Sequence, residues 1–115
     1  MLTQYDEGFV TMTKQKLYNQ HRMALAQALQ SIRSAEEMEL FLVDLCTPAE
    51  LRALSERWHV AKLLDKGELS YRKINAQTGV STTTIGRVAR FLNDEPHQGY
   101  RAVLDKVALD KPVEV

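Results

Sequence analysis

The chain has 115 residues, a length that fits one domain over 1–115. Its 5 glycines and 3 prolines are too few for a disordered or all-β chain, and a single cysteine excludes an internal disulfide framework and favours a reducing, cytoplasmic setting. The formal net charge is zero, which argues weakly against a nucleic-acid partner, and no apolar run approaches the roughly 20 residues needed to cross a membrane.

The charges are distributed unevenly along the chain. Residues 34–56 contain six acidic residues and one basic residue, whereas residues 57–92 contain seven basic residues and two acidic ones. A neutral protein with one basic half can present a phosphate-binding face. Ordinary solvated helix faces would give the same pattern, so charge alone leaves nucleic-acid binding open.

Two helices are predicted in the first part of the chain. Apolar residues recur at helical spacing over 12–33, with no internal glycine or proline. Ser34 and Glu37 then form a capping-box pattern before a second helix, around which the apolar residues from Met38 to Leu45 lie on nearly every side. Such a helix is normally buried on most sides, and because so short a chain could hardly surround it, a second subunit is predicted.

The third helix has the clearest boundaries. Thr47 occupies the N-cap position, Pro48 the first helical position, and Glu50 completes a capping box. The helix ends at Lys66 and Gly67, because a cation and a glycine both favour a helix C-terminus.

Two short helices follow, joined by a tight turn. Ser70 caps the first helix, Ser81 caps the second, and Gly79 permits the turn between them. Such a pair, here spanning 69–92, is the sequence form of a helix-turn-helix, although a plain helical hairpin has the same pattern. A modest final helix is predicted over 96–107.

The second helix of this pair begins with three threonines. Small hydroxyl side chains and free backbone N–H groups at a helix N-terminus can approach base edges or phosphates. Nearby basic residues supply positive charge: Arg72, Lys73, Arg87 and Arg90. Gly86, inside the same helix, is unusual because glycine costs about 1 kcal/mol there relative to alanine. It could permit close approach of a DNA backbone, or relieve packing against another helix.

Three stretches of the chain resemble one known family. They are LCTPAELRAL from Leu45, LLDKGELSYRKI from Leu63 and TGVSTTTIGR from Thr78. These stretches, together with the order of the helices over most of residues 14–107, are similar to those of the tryptophan repressor family. The resemblance implies an all-α, six-helix fold and an intertwined homodimer, in which the helices of 12–66 and the last helix interlock. Two helix-turn-helix heads would then reach successive major grooves of double-stranded DNA, about 34–36 Å apart, a geometry for which this family is itself a standard example.

The resemblance also implies roles for single residues. It implies that Arg72 contacts a base directly and that Thr82, Thr83 and Thr84 meet bases, largely through water; this family is also a standard example of such water-mediated contact. Thr84 is the residue type of the family, while Thr82 and Thr83 replace small apolar residues, so a different operator is expected. Contacts to the DNA backbone are expected from Arg57, Lys73, Arg87 and Arg90.

The corepressor pocket of the family is matched only in part. Thr47, Arg57 and Arg87 stand at positions that hold tryptophan in the family. Val88, however, replaces a glycine, and Phe91 replaces a serine, which adds apolar bulk where the indole and the ammonium would lie. A buried ammonium without its hydrogen-bond partner costs about 1–3 kcal/mol. We therefore predict that no tryptophan or other cofactor is bound, as in the branch of the family that lacks a standard tryptophan pocket.

Structural alternatives exist for the two arginines of this pocket. Arg57 and Arg87 could contact DNA phosphates or pair with an acidic residue such as Glu50, Glu56 or Asp65. These roles are preferred to ligand binding because the pocket is altered. The three histidines are scattered and show no zinc-ligand spacing, so no metal site is predicted.

The sequence therefore predicts a transcriptional repressor that binds a two-fold operator through a helix-turn-helix. An enzyme is not predicted, because no nucleophile–base pair, phosphate loop or metal cluster is found. Two alternatives stay open. One is a protein–protein interaction module that keeps the fold, and the other is a corepressor-dependent repressor of the tryptophan type.

Overall fold

The computed structural model describes residues 7–109, with side chains from residue 13 onward. This part of the chain contains six α-helices and no strand. The helices are α1 (Glu7–Ser31), α2 (Ala35–Leu45), α3 (Pro48–Lys66), α4 (Tyr71–Thr78), α5 (Thr82–Asn93) and α6 (Gly99–Leu109). The prediction of an all-α chain with six helices is confirmed.

The chain forms two compact units, residues 1–45 and 46–115, of which 7–45 and 46–109 are described. The first unit contains α1 and α2, and the second contains α3 to α6. The expected single domain over 1–115 stays a prediction.

Local hydrogen bonds explain the boundaries of α3. The Glu50 backbone N–H donates to Thr47 Oγ1 at 3.1 Å, and the Thr47 N–H donates to Glu50 Oε1 at 2.8 Å. Both halves of the predicted capping box are therefore formed. At the other end, Gly67 adopts a φ of 72° and its N–H donates to the Leu63 carbonyl, so the chain leaves the helix where the sequence predicted.

Two helices have other bounds than predicted. The first helix spans Glu7–Ser31 rather than residues 12–33. The last helix spans Gly99–Leu109 rather than residues 96–107. Gln98 has a φ of 56°, a left-handed conformation that cannot continue an α-helix, and its side-chain Nε2 donates to the Glu95 carbonyl at 2.8 Å. Residues 96–98 thus belong to the connection between α5 and α6.

The core of the second unit lies between α3, α4 and α5. Its buried side chains are Val60, Ala61, Ile74, Val80, Ile85 and Val88. Each fully buried valine or isoleucine side chain contributes about 1.5–3 kcal/mol relative to an exposed one. Because these side chains come from three helices and the turn, their packing fixes α4 and α5 on α3.

A charged contact joins α6 to the end of α3. Arg101 donates to Asp65 at 2.7 Å and to Asp105 at 3.2 Å. These hydrogen bonds raise the pKa of Arg101 above its ordinary value. Since the three side chains are partly exposed to solvent, the contact orients α6 more than it stabilises the fold.

Candidate nucleic-acid interface

The turn between α4 and α5 is held by polar side chains. Gly79 adopts a φ of 77°, and its N–H donates to the Asn75 carbonyl at 2.9 Å. Thr78 Oγ1 donates to the Ile74 carbonyl at 2.7 Å and accepts from the Val80 N–H at 3.1 Å, while Asn75 Nδ2 donates to the Val80 carbonyl at 2.8 Å. We did not predict these roles for Asn75 and Thr78. Short polar residues flanking a turn glycine are the signal that could have found them.

The first turn of α4 presents basic side chains to solvent. Ser70 Oγ accepts from the Lys73 N–H at 3.2 Å, as predicted for an N-cap. Tyr71, Arg72 and Lys73 are all exposed. Two cationic side chains therefore stand beside a helix N-terminus, whose partial positive charge already favours an anion.

The structure distinguishes among the three threonines at the start of α5. Ser81 Oγ accepts from the Thr84 N–H at 3.1 Å and donates to Thr84 Oγ1 at 3.1 Å. Thr84 is half-buried, whereas Thr82 and Thr83 are exposed. Thr82 and Thr83 thus present hydroxyls to solvent, while the hydroxyl of Thr84 takes part in the helix cap.

Two arginines of α5 lie over an aromatic ring of the same helix. The guanidinium carbons of Arg87 and Arg90 are 4.2 Å and 5.0 Å from the centroid of the Phe91 ring. Such cation–π contacts are worth about 0.5–1 kcal/mol at exposed sites. Arg90 also pairs with Glu95 at 3.6 Å. Both arginines are exposed, as a phosphate contact requires, but the ring and Glu95 restrain them.

The salt bridges left open as one alternative for Arg57 and Arg87 are not formed among the side chains that the structure describes. Within residues 13–109 neither arginine has an ion-pair partner. One of the expected partners, Asp65, is instead held by Arg101 at 2.7 Å. Arg57 is half-buried on α3, so its charge is less accessible than that of Arg87.

An apolar cavity of about 390 Å³ lies between α3, the end of α5 and the start of α6. Its wall includes Trp58, Phe91, His97 and Tyr100. The Phe91 and His97 rings stack with their centroids 6.4 Å apart and their planes at 15°. None of the residues predicted to hold a ligand lines this cavity; they are Thr47, Arg57 and Arg87.

Val88 and Phe91, the two residues that differ from the pocket of the resembled family, lie in different surroundings. Val88 is 1 % exposed and belongs to the core between α3, α4 and α5. Phe91 is half-buried beneath the Arg87 guanidinium. Thr47 Oγ1, the third predicted ligand contact, accepts the capping hydrogen bond of α3.

Among the side chains of residues 13–109, no group of three could hold a metal ion. The described histidines include His59 on α3 and His97 in the connection before α6. None of the helices in that range combines the length and the apolar character that a membrane crossing requires.

Comparison with known proteins identifies the family. The family model described as Trp repressor protein matches residues 20–108. The chain belongs to the tryptophan repressor family. The resemblance predicted from three stretches of sequence is confirmed, and membership indicates DNA-binding regulation of transcription rather than catalysis.

Several similar proteins match most of the chain. It is 39% identical over 92 residues to the uncharacterized protein YerC of Bacillus subtilis, covering 80% of this chain and 86% of that protein. It is 30% identical over 101 residues to the Trp operon repressor homolog of Vibrio cholerae, covering 88% and 96%. The crystal structure of a TrpR-like protein from Eubacterium eligens has a TM-score of 0.73 at 38% identity and covers 83% of this chain and 96% of that one. The tryptophan repressor fold is thus shown by sequence and by structure.

Proposed function

We propose that this protein is a cytoplasmic, sequence-specific transcription regulator that represses by binding a two-fold DNA operator. The observation that carries the proposal is the arrangement of α4 and α5, in which two capped helix N-termini stand in solvent among basic and hydroxyl side chains. Helix N-termini and basic side chains bind phosphates, and small polar side chains reach base edges. The similarity to a Trp operon repressor homolog supports the same function.

The exposed polar residues of α4 and α5 have different roles in DNA recognition. Arg72, at the start of α4, contacts a base edge in the major groove. Thr82 and Thr83 meet bases directly or through water, and Thr84 supports them from within the cap. Four cations contact the DNA backbone: Arg57, Lys73, Arg87 and Arg90.

A second copy of this chain covers the apolar surface of the first unit. No residue of α2 is buried in the single chain, and Leu40 and Val43 are 69% and 56% exposed. An apolar surface of this kind is normally covered by a partner. A two-fold dimer buries it and presents two copies of α4 and α5 to two half-sites. Sedimentation is expected to give twice the monomer mass, and a monomer at micromolar concentration would contradict the dimer.

The regulator needs no tryptophan to bind DNA. Val88 fills core space at the position where family members with a glycine leave room for the ligand. The Phe91 ring already lies 4.2 Å beneath the Arg87 guanidinium, where it provides an aromatic surface for that cation. A side chain of the protein itself thus occupies the aromatic contact that an indole would make, and this supports DNA binding without an effector.

Selection of genomic DNA fragments on the purified protein tests the proposed function. At about 0.15 M salt and without effector, we expect enrichment of a two-fold sequence motif. Enrichment only after tryptophan is added would support the corepressor-dependent alternative instead. No enrichment under either condition would contradict DNA binding and favour the protein–protein interaction module.

Two neighbouring cations are expected to affect DNA binding differently. Replacing Arg72 by Ala should weaken operator binding by about 1–3 kcal/mol and relax specificity at one base pair, because a base contact is lost. Replacing Lys73 by Ala should weaken binding to all sequences alike and reduce the slope of log affinity against log salt by about one, because a phosphate contact is lost.

The two variants serve as matched controls, since each removes one exposed cation from the same helical turn. Binding isotherms for operator and scrambled DNA at several salt concentrations separate the two effects. Equal losses on both DNAs for Arg72→Ala would show that Arg72 contacts only the backbone.

A further inference from the structure

Gly86 lies inside α5, one turn after the exposed threonines. A glycine in a helix interior is less favourable than alanine, because it gains more backbone freedom in the unfolded chain. Its place in the middle of the helix therefore calls for a reason. The sequence left two reasons open, close approach of DNA and relief of internal packing.

Internal packing does not require this glycine. A Cβ atom placed on Gly86 would have no heavy atom of the described residues within 4 Å, apart from its own helix backbone and chain neighbours. Its φ is not positive, in contrast to those of Gly67 and Gly79. Neither a steric clash within residues 7–109 nor an unusual backbone conformation thus explains the glycine.

The neighbours of Gly86 on the surface of α5 are polar. Thr82 and Thr83 lie one turn before it, and Arg90 lies one turn after it; all three are exposed. The large exposed apolar side chains of the described chain lie on other elements, and none belongs to α5. A protein partner would bury aromatic or aliphatic groups, whereas hydroxyls and a cation suit a polyanion.

We propose that Gly86 is the point at which the sugar–phosphate backbone of the operator comes closest to α5. With no side chain at this position, a DNA strand reaches van der Waals contact with the helix backbone between the threonine hydroxyls and Arg90. The inference rests on the proposed DNA-binding function and adds a residue that sets the depth of α5 in the groove without making a polar contact.

Substitutions that enlarge residue 86 are expected to change stability and DNA binding in opposite directions. Gly86→Ala is expected to raise the melting temperature by a few degrees and to weaken operator binding by about tenfold or more, equal to about 1.4 kcal/mol. Gly86→Val should weaken binding further. The salt dependence of binding should keep its slope in both variants, because no charge is removed.

Gly99→Ala is the matched control. Gly99 is also helical, has no positive φ, and would have no described heavy atom within 4 Å of an added Cβ, but it lies at the start of α6. Its replacement should leave operator affinity unchanged.

Three results would overturn the inference. The first is that both Gly86 variants bind the operator as tightly as the wild-type protein does. The second is that a variant loses operator affinity because it no longer forms a dimer in sedimentation, which would place Gly86 at a protein contact. Failure of the wild-type protein itself to select DNA would refute the proposed function and this inference with it. A wild-type protein that binds DNA alongside unaffected Gly86 variants would refute the inference alone.

Discussion

Replacing Ile74 by Ala is expected to lower the free energy of unfolding by about 2–5 kcal/mol. Ile74 is fully buried and is the only buried residue of α4. It belongs to the core cluster that also contains Ile85 of α5 and Val60 of α3, so its truncation leaves a cavity where the three helices meet. The loss amounts to a large share of the stability of a small domain.

Urea unfolding followed by tryptophan fluorescence measures this loss. Trp58 is the single tryptophan of the chain and packs against the same core. Ile74→Val should cost only about 0.5–1.5 kcal/mol, because most of the side chain remains. Gln77→Ala, on the exposed side of the same helix, should change stability by about 0.5 kcal/mol at most. A loss below about 1 kcal/mol for Ile74→Ala would show that α4 is not held by this core.

The second prediction with a large expected effect concerns the binding of tryptophan. Calorimetric titration of the wild-type protein with tryptophan should show no binding, and operator affinity should not change when tryptophan is added. The double variant Val88→Gly/Phe91→Ser is expected to gain tryptophan binding with a dissociation constant below about 100 µM, or about −5.5 kcal/mol. Loss of the valine side chain opens space in the core. The serine removes the ring beneath the Arg87 guanidinium and supplies a hydroxyl that can accept a hydrogen bond from an ammonium group.

Arg87→Ala in the background of the double variant provides the control. This variant has no guanidinium to lie over the indole ring of tryptophan, so the gained binding should fall again. Because Val88 is buried, the fold of each variant should be checked by urea unfolding before titration. Micromolar binding of tryptophan to the wild-type protein would refute the idea that Phe91 and Val88 close the pocket.

Much of the candidate interface was predictable because its determinants are local. The caps Thr47, Ser70 and Ser81 each accept a hydrogen bond from an N–H three residues later, and Gly79 adopts the left-handed turn expected of it. Interactions within one helical turn depend on residue type and spacing, which the sequence contains. The exposed positions of Arg72, Thr82 and Thr83 follow from the same local periodicity.

Other features were decided by the tertiary structure. Arg101 meets Asp65 across 36 positions of sequence, and no local rule predicts that α6 returns to the end of α3. The start of α6 depended on the left-handed Gln98, a conformation that residues other than glycine rarely adopt and that this residue type does not predict. The Arg87 side chain lies over the Phe91 ring. It could also extend into solvent, and which rotamer it adopts depends on the neighbouring side chains.

The amino-acid sequence by itself therefore determined where α3, α4 and α5 begin, which family the chain belongs to and which residue types are available to meet DNA. The tertiary structure decided the surroundings of other side chains, because these depend on contacts between helices distant in sequence. Val88 is buried where three helices converge, and Asp65 is held by Arg101 of α6. Residue types limit what a side chain can bind, and packing determines whether it is free to do so.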